Sequence, residues 1–428
     1  MNFKDFKFHP KVEAGITAAG YTVPTPIQAQ AIVPVMENRD VMGLAQTGTG
    51  KTAAFGLPIL HRLMTGQRGH IRCLMIAPTR ELAEQINEAM KTLGKQTGLR
   101  TLTVYGGVSI NPQKAALKRG VEIVVACPGR LLDHINQGTI DLSKVEVLVL
   151  DEADHMFDMG FFPDIRKILK VLPGQRQTLL FSATMPMEIK RLANDVLRHP
   201  QTIQADTATS AETVRHALYP VAQHLKTDLL LQMLEKTNTG SVLVFTRTKH
   251  RAKKLGEKLD KSGYNAASLQ GNLSQNRRQE ALDGFRKGKY QILVATDIAA
   301  RGIDVSQVSH VINFDVPTTP EAYVHRIGRT GRAAKTGDAY TMVASEDKSM
   351  VRSIERLLGN SIEHRTIEGF DYKKAAPARS AQPARSMPNR NGAPRNSRPA
   401  GAGGTPRPNR NRPGQGQRPG GVRPSGNR

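Results

Sequence analysis

The chain has 428 residues, enough for two or three domains with full cores, and carries a formal net charge of +24. Residues 371–428 hold 13 of its 61 Lys+Arg and one of its 37 Asp+Glu, so half of that charge sits at the C-terminal end, and polyanion binding that weakens with salt is expected. With Cys73 and Cys127 as its two cysteines and no apolar run near the about 18 residues of a membrane span, a disulfide framework, a cysteine-based zinc cluster and a membrane-spanning helix are all excluded as organising principles.

In chain order, Pro24 and Pro26 force an extended turn before a helix predicted to start near Ile27. The side-chain amide of Gln28 both donates and accepts, so it could pair with the N6/N7 edge of adenine. Asp40 to Leu44 predicts a short strand, Ala45 to Thr52 a glycine-rich loop, and Lys51 to Met64 a helix, the context a phosphate-binding loop requires. Gly48 and Gly50 would turn backbone N–H groups inward, Lys51 would reach the β- and γ-phosphates, and the Thr52 hydroxyl would ligate Mg²⁺. The first position of the GxxxxGK[ST] pattern is Ala45 in place of Gly.

Short apolar runs then alternate with helix-like stretches: Cys73 to Ala77, Leu102 to Tyr105, Ile123 to Ala126, Val145 to Leu150 and Thr178 to Phe181. Such runs are typical of a parallel sheet buried on both faces, whose ligands bind beyond the carboxyl ends of the strands. The turns that follow are Pro78-Thr79-Arg80, Gly106-Gly107, Pro128-Gly129-Arg130, Asp151-Glu152-Ala153-Asp154 and Ser182-Ala183-Thr184. Three carboxylates in four residues at the end of a buried strand are costly unless charge or metal meets them.

A polar stretch over 207–216 predicts a linker, and a second alternating series follows at Ser241 to Phe245, Tyr264 to Ser268, Gln291 to Ala295 and His310 to Phe314. No glycine phosphate loop follows its first strand, so one nucleotide site in a cleft between two similar domains is expected. The octamer His325 to Arg332 would contribute from across that cleft, with Arg329 and Arg332 presenting planar, permanently charged forks suited to phosphate. From Asp371 onward the Pro-, Gly-, Arg- and Asn-rich composition, with no aromatic after Tyr372, predicts a disordered tail whose contact with a polyanion would be mostly electrostatic. The N-terminus lacks a leader-type apolar segment, and a reducing cytoplasm is the expected compartment.

The segments GYTVPTPIQ, AQTGTGKT, PTRELA, GG, PGR, DEAD, SAT, FTRT, QNRR, ATDIAARGID and HRIGRTGR, in this order between Phe3 and Arg332, closely resemble the DEAD-box RNA helicases. Within that family the run Gly106 to Gln113 is most similar to the bacterial RhlE-type branch. The resemblance implies an α/β fold with two tandem RecA-like parallel-sheet domains: domain 1 over 1–206, with an adenine-recognition segment 1–29, phosphate loop 45–52 and tetrad 151–154. Domain 2 would cover 217–370, and the tail 371–428. It implies an ATP-dependent RNA helicase that binds RNA largely without sequence preference, closes around ATP and Mg²⁺, and separates short duplexes with RNA-stimulated hydrolysis to ADP and phosphate. Ribosome precursors or RNA-decay proteins would be its partners. An ATP-dependent RNA clamp or annealing factor, and a DNA-directed helicase, are the competing readings.

Roles follow residue by residue from the same resemblance. Phe3 and Tyr21 would flank adenine while Gln28 reads its edge, and Ala45, Gln46, Thr47, Gly48, Thr49, Gly50, Lys51 and Thr52 would hold the phosphates. Asp151 would hold Mg²⁺ with Thr52, partly through water, and Glu152 would position and deprotonate the attacking water. Asp304 would meet the ribose, and Arg329 with Arg332 would act as fingers of the kind worth roughly 10³–10⁵ in rate. Asp154, Ser182, Thr184 and His325 would couple nucleotide state to closure. RNA would meet Arg80, Gly107, Gly129 and Arg130 in domain 1 and Arg278 and Thr296 in domain 2, with the helix from Arg130 to Gln137 bending one strand. Cys127 stands where the family has Thr before Pro-Gly-Arg, which removes a hydroxyl from that rim.

Overall fold

A computed structural model describes residues 1–45, 48–204, 214–236, 240–300, 308–330 and 337–376. Gln46, Thr47, Asp304, Arg332, most of the expected linker and the tail from 377 lie outside the described residues.

Seven strands form the first sheet: β1 (Val41–Leu44), β2 (Cys73–Ile76), β3 (Thr101–Val104), β4 (Ile123–Ala126), β5 (Val147–Leu150), β6 (Gln177–Ser182) and β7 (Gln201–Gln204). Their order is β3-β4-β2-β5-β6-β1-β7, with every pair parallel. Both faces are buried, as the continuous apolar runs require. Alternate residues go to opposite layers: Met75, Val125, Val149 and Phe181 on one, Leu74, Val124, Leu148 and Leu180 on the other.

The second sheet contains β8 (Val214–Pro220), β9 (Ser241–Phe245), β10 (Ala266–Leu269), β11 (Ile292–Ala295), β12 (Val308–Asn313), β13 (Gly337–Val343) and β14 (Glu363–His364). Its order, β10-β11-β9-β12-β13-β8-β14, repeats that of the first sheet strand for strand. Both sheets belong to one compact unit, Met1–Ala376.

Three expectations change. Val214 to His216, read as linker, open β8 and pair with Gly337 to Ala339, because they supply the strand partner that β13 needs. The tail does not begin at 371: Tyr372 packs on Phe370 with ring centroids 4.8 Å apart and its hydroxyl accepts from the Ile367 N–H at 2.8 Å. Finally, the first strand of the second sheet is β8, not Ser241–Phe245. β8 corresponds to β1, with Val221 N–H on the Val343 carbonyl just as Ala45 N–H is on the Ser182 carbonyl. No glycine loop follows it, yet the next long helix again opens on a buried lysine. Lys226 Nζ lies 3.9 Å from Asp315 and 3.7 Å from Asp347, so in this half the protein's own carboxylates take the place an anion would have.

The four strands that sequence periodicity missed are β7, β8, β13 and β14. They are at or near one edge of their sheets, and their mixed polar composition carries no apolar run.

Candidate nucleotide site and its link to the second sheet

All strands of the first sheet point the same way, so the turns after β1 to β6 gather along one edge. Gly48 and Gly50 have φ of +86° and +94°, a region that favours glycine, and a Cβ on Gly50 would run into the Gln28 amide. Lys51 is the first residue of the helix Lys51–Leu63 and is only 5% exposed. Its ammonium sits 3.6 Å from Asp151 Oδ1 but makes no hydrogen bond. A buried cation that lacks an acceptor is costly, and a phosphate oxygen would satisfy it. Thr52 follows it at the mouth of the loop.

The segment around Thr25 and Gln28 is joined to this loop through backbone. Gln28 Nε2 donates to the Gly50 carbonyl at 3.1 Å, its Oε1 accepts from Thr25 N–H at 2.9 Å, and Thr25 Oγ1 donates to the Thr49 carbonyl at 2.8 Å. Gln28 is buried, so its first task is to cap the helix Pro26–Met36 and pin the loop; one N–H and one lone pair of the amide are left for a base edge. Phe3, expected beside adenine with Tyr21, is only 5% exposed. It lies in the core against Phe6 and supports Tyr21, the exposed ring of the segment at 40%, across 5.8 Å.

The tetrad follows β5. Asp151 is buried, and burial pushes its carboxyl up while the Lys51 charge opposes this. Glu152 is buried too and adopts left-handed backbone, φ 56° and ψ 53°, at a cost of roughly 1–2 kcal/mol for a residue with a Cβ. Asp154 Oδ2 accepts from Ala183 N–H at 3.2 Å, Thr184 N–H at 2.9 Å and Thr184 Oγ1 at 3.0 Å. Its own N–H donates to Ser182 Oγ at 3.2 Å, and Ser182 Oγ donates to the Thr184 carbonyl at 2.7 Å. Asp154, Ser182 and Thr184 are thus bonded together just beyond the ends of β5 and β6, with His325 Nε2 from the second half 3.9 Å from Asp154 Oδ2.

His325 lies on the helix Pro320–Ile327, and burial, helped by the neighbouring His155, pushes it down to about 4. The next residue, Arg326, was not singled out from sequence, although it is the strut of this helix. It is fully buried, pairs with both Asp297 oxygens at 2.6 and 2.7 Å, donates to Asn313 and to the Asp315 carbonyl, and stacks 5.0 Å from the Phe245 ring. Arg329 is buried just beyond the helix end, beside His325.

On the rim, Gly107 has φ +79° and a Cβ there would strike the Arg80 guanidinium. Arg130 donates to the Val108 carbonyl at 3.0 Å, and its buried Nη1 makes no hydrogen bond, an unfilled donor suited to a phosphate. Gly129 and Arg130 open the helix Pro128–Asn136, whose N-cap, Cys127, makes no capping bond. His134, missed from sequence, ties this helix to the glycine turn through Gln113 Oε1 at 3.1 Å, while Gln113 Nε2 holds the Tyr105 carbonyl at 3.0 Å. Thr296 after β11 occupies the place that Cys127 has after β4, since β11 pairs with β9 as β4 pairs with β2. Arg278 is not placed as an open RNA contact. Its Nε donates to Glu81 Oε1 at 2.8 Å across the two halves, and Arg80 reaches Gln275 at 3.3 Å beside it.

Residues 25–192 match the family description DEAD/DEAH box helicase, and residues 225–334 match the helicase conserved C-terminal domain. A Bacillus subtilis DEAD-box ATP-dependent RNA helicase, CshA, is 45% identical over 357 residues, 83% of this chain and 72% of the relative. Saccharomyces cerevisiae Dbp5 bound to RNA and ADP BeF3 superposes with a TM-score of 0.77 at 29% identity, covering 85% of this chain and 95% of that one. A DEAD box protein from Methanococcus jannaschii gives a TM-score of 0.52 at 36% identity, covering 86% and 99%. With a phosphate loop, an acidic tetrad and a second parallel sheet of identical strand order already in place, this chain belongs to the DEAD-box ATP-dependent RNA helicase family.

Proposed function

We propose that the protein separates short RNA duplexes by closing its two RecA-like halves around ATP and a single RNA strand, and reopens after hydrolysis. One observation carries the reading: the tetrad faces the phosphate loop through Lys51–Asp151 at 3.6 Å and the second half through Asp154–His325 at 3.9 Å. Whatever fills the phosphate site is therefore sensed by the contact between halves.

Lys51, with the loop N–H groups of 48–50, would bind the phosphates, and Tyr21 and Gln28 would orient the base. The donor set of Asp151 carboxylate and Thr52 hydroxyl is hard oxygen and fits Mg²⁺, which would be completed by phosphate oxygens and water. No cluster of three His, Cys, Asp or Glu side chains that could hold a metal occurs among the described residues. When bound, that ion neutralises charge building on the phosphates. Glu152 would take the proton of the attacking water, Arg329 and Arg332 would meet the γ-phosphate, and Asp304 the ribose. Arg80, Gly107, Gly129, Arg130 and Thr296 would hold RNA through phosphate and ribose, largely without regard to sequence. We place Arg278 at the closure contact.

The RhlE-type branch rests on the run Gly106 to Gln113, in which Val108 and Gln113 steady the rim. Domain limits near 1–206 and 214–376, RNA tethering by the tail, a cytoplasmic setting, and work on ribosome precursors or RNA decay complete the proposal. No helix among the described residues is long and apolar enough to cross a membrane.

Glu152→Gln tests the core: ATP and RNA binding persist while turnover stops, and ordinary multiple-turnover ATPase in that variant overturns the assignment. ATPase stimulation by equal-length RNA and DNA oligonucleotides excludes or establishes the DNA-directed reading. Duplex separation against a nucleotide-free control distinguishes a helicase from a clamp.

A further inference from the structure

His155 follows the tetrad directly and has no role in the mechanism so far. Its Nδ1 lies 2.8 Å from Glu152 Oε2, and both side chains are only 3% exposed. Its Nε2 lies 3.4 Å from Nδ1 of His325, the rings nearly perpendicular at 89° with centroids 4.9 Å apart. His325 Nε2 in turn faces Asp154 Oδ2 at 3.9 Å. Four ionisable side chains thus form a row, Glu152–His155–His325–Asp154, that begins and ends on the tetrad and passes through the second half of the protein.

The spacing of the row indicates where its protons are. A neutral imidazole has one N–H and one lone pair, so two of them supply two N–H groups for three gaps. The gaps of 2.8 and 3.4 Å are the filled ones, and the 3.9 Å gap is the unfilled one, in keeping with a buried His325 Nε2 that makes no hydrogen bond. Asp154 does not need that proton, since Ala183 and Thr184 already donate to the same oxygen. In this tautomeric order His155 Nδ1–H holds one oxygen of Glu152, and its Nε2 accepts from His325 Nδ1–H.

We propose that His155 is a positioning residue for Glu152, and that it is locked in place only when His325 closes onto it. The proposal rests on Glu152 acting as the base. A carboxylate on strained left-handed backbone, with one oxygen anchored, is held in a fixed orientation. Because the far side of the imidazole finds its partner only in the second half, the alignment of the base is completed by closure. Hydrolysis would then be gated by the same movement that grips RNA.

The test is RNA-stimulated ATP hydrolysis by the full chain carrying H155A, H155N or H155Q, with thermal unfolding measured in parallel. The amide nitrogen of Asn stands near the place of Nδ1, that of Gln near the place of Nε2. H155A lowers kcat by about 10²-fold, the scale of a misplaced catalytic group, with the KM for ATP changed less than about twofold. H155N restores most of kcat, and H155Q does not. Losses in H155A and H325A are less than multiplicative when combined, since each breaks the same row. Wild-type kcat in H155A while E152Q is inactive overturns the positioning role, as does any pattern in which Gln equals or exceeds Asn. Multiplicative losses overturn the link to closure. Turnover retained in E152Q instead removes the reading on which the proposal rests. Should H155A prove unstable, the comparison of Asn with Gln decides alone.

Discussion

Arg278 and Glu81, 197 residues apart in sequence, meet at 2.8 Å between the helices Gln275–Arg286 and Arg80–Leu93, both side chains largely shielded from water. Gln275 adds two further contacts, to Arg80 and to the same Glu81 oxygen, each at 3.3 Å. The pair spans the two halves beside Arg80, so it stabilises the arrangement in which the halves meet.

Removing one partner leaves the other shielded and unpaired, which is more damaging than losing both. Arg278→Ala and Glu81→Ala are each expected to raise the RNA concentration needed for half-maximal ATPase by about tenfold or more, while the double variant is no worse than either single one. A double-mutant cycle on RNA-stimulated ATPase reads this; strictly multiplicative losses would show that the two residues act separately.

Gly50→Ala tests the loop. At φ +94° a Cβ is disfavoured by roughly 1–2 kcal/mol, and here it also meets the Gln28 amide. ATP affinity is expected to fall by about 10-fold, measured with a fluorescent nucleotide, and the melting temperature by about 2–4 °C per kcal/mol of that strain. If affinity is kept, the loop has another conformation when nucleotide is bound.

Cys127→Thr is expected to stabilise the protein. Cys127 caps the helix Pro128–Asn136 without a side-chain bond, whereas Thr79, Thr248 and Thr319 cap their helices with one. A Thr hydroxyl there can accept from the third helical N–H, worth about 1 kcal/mol and hence about 2–4 °C in melting temperature. An unchanged thermal transition would mean that the hydroxyl points to the RNA rim instead.

His325 is expected to make closure pH-dependent. Its folded pKa is depressed from 6.5 to about 4 by burial, so the closed state requires the neutral ring. Above pH 6.5 the ring is neutral whether the halves are open or closed, and closure keeps its full stability. As pH falls from 6.5 towards 4 the open state takes up a proton first, and closure weakens by up to about 1.4 kcal/mol per pH unit. Closure with a non-hydrolysable ATP analogue and RNA, followed by a distance between dyes on the two halves, should therefore be weaker at pH 5.5 than at 7.5. His325→Gln should flatten the difference, and an equal dependence in that variant assigns it to another group.

The central strands, the phosphate loop and the tetrad were legible because each rests on local chemistry. A strand buried on both faces needs a run such as Ile123-Val124-Val125-Ala126, and a backbone that turns at positive φ needs Gly48 and Gly50. Nothing local marks β7 or β14, since edge strands are held by a partner on one side and are not selected for apolar runs.

Partnership across long distances was not legible. Arg278 was placed on RNA, and it lies on Glu81; Phe3 was placed on adenine, and it lies under Tyr21. A charge or a ring states what it can bind, and several groups always qualify. Which one it meets depends on how elements separate in sequence pack together, and that is settled by surfaces that no local stretch contains. His155 shows the limit most clearly: in sequence it is one more polar residue after an acidic tetrad, and in the folded chain it stands between Glu152 and His325 at 2.8 and 3.4 Å. The residue types that do the chemistry come from the chain's order, while the pairings that align and couple them come from burial, because only a closed, water-poor interface makes one partner so much better than water.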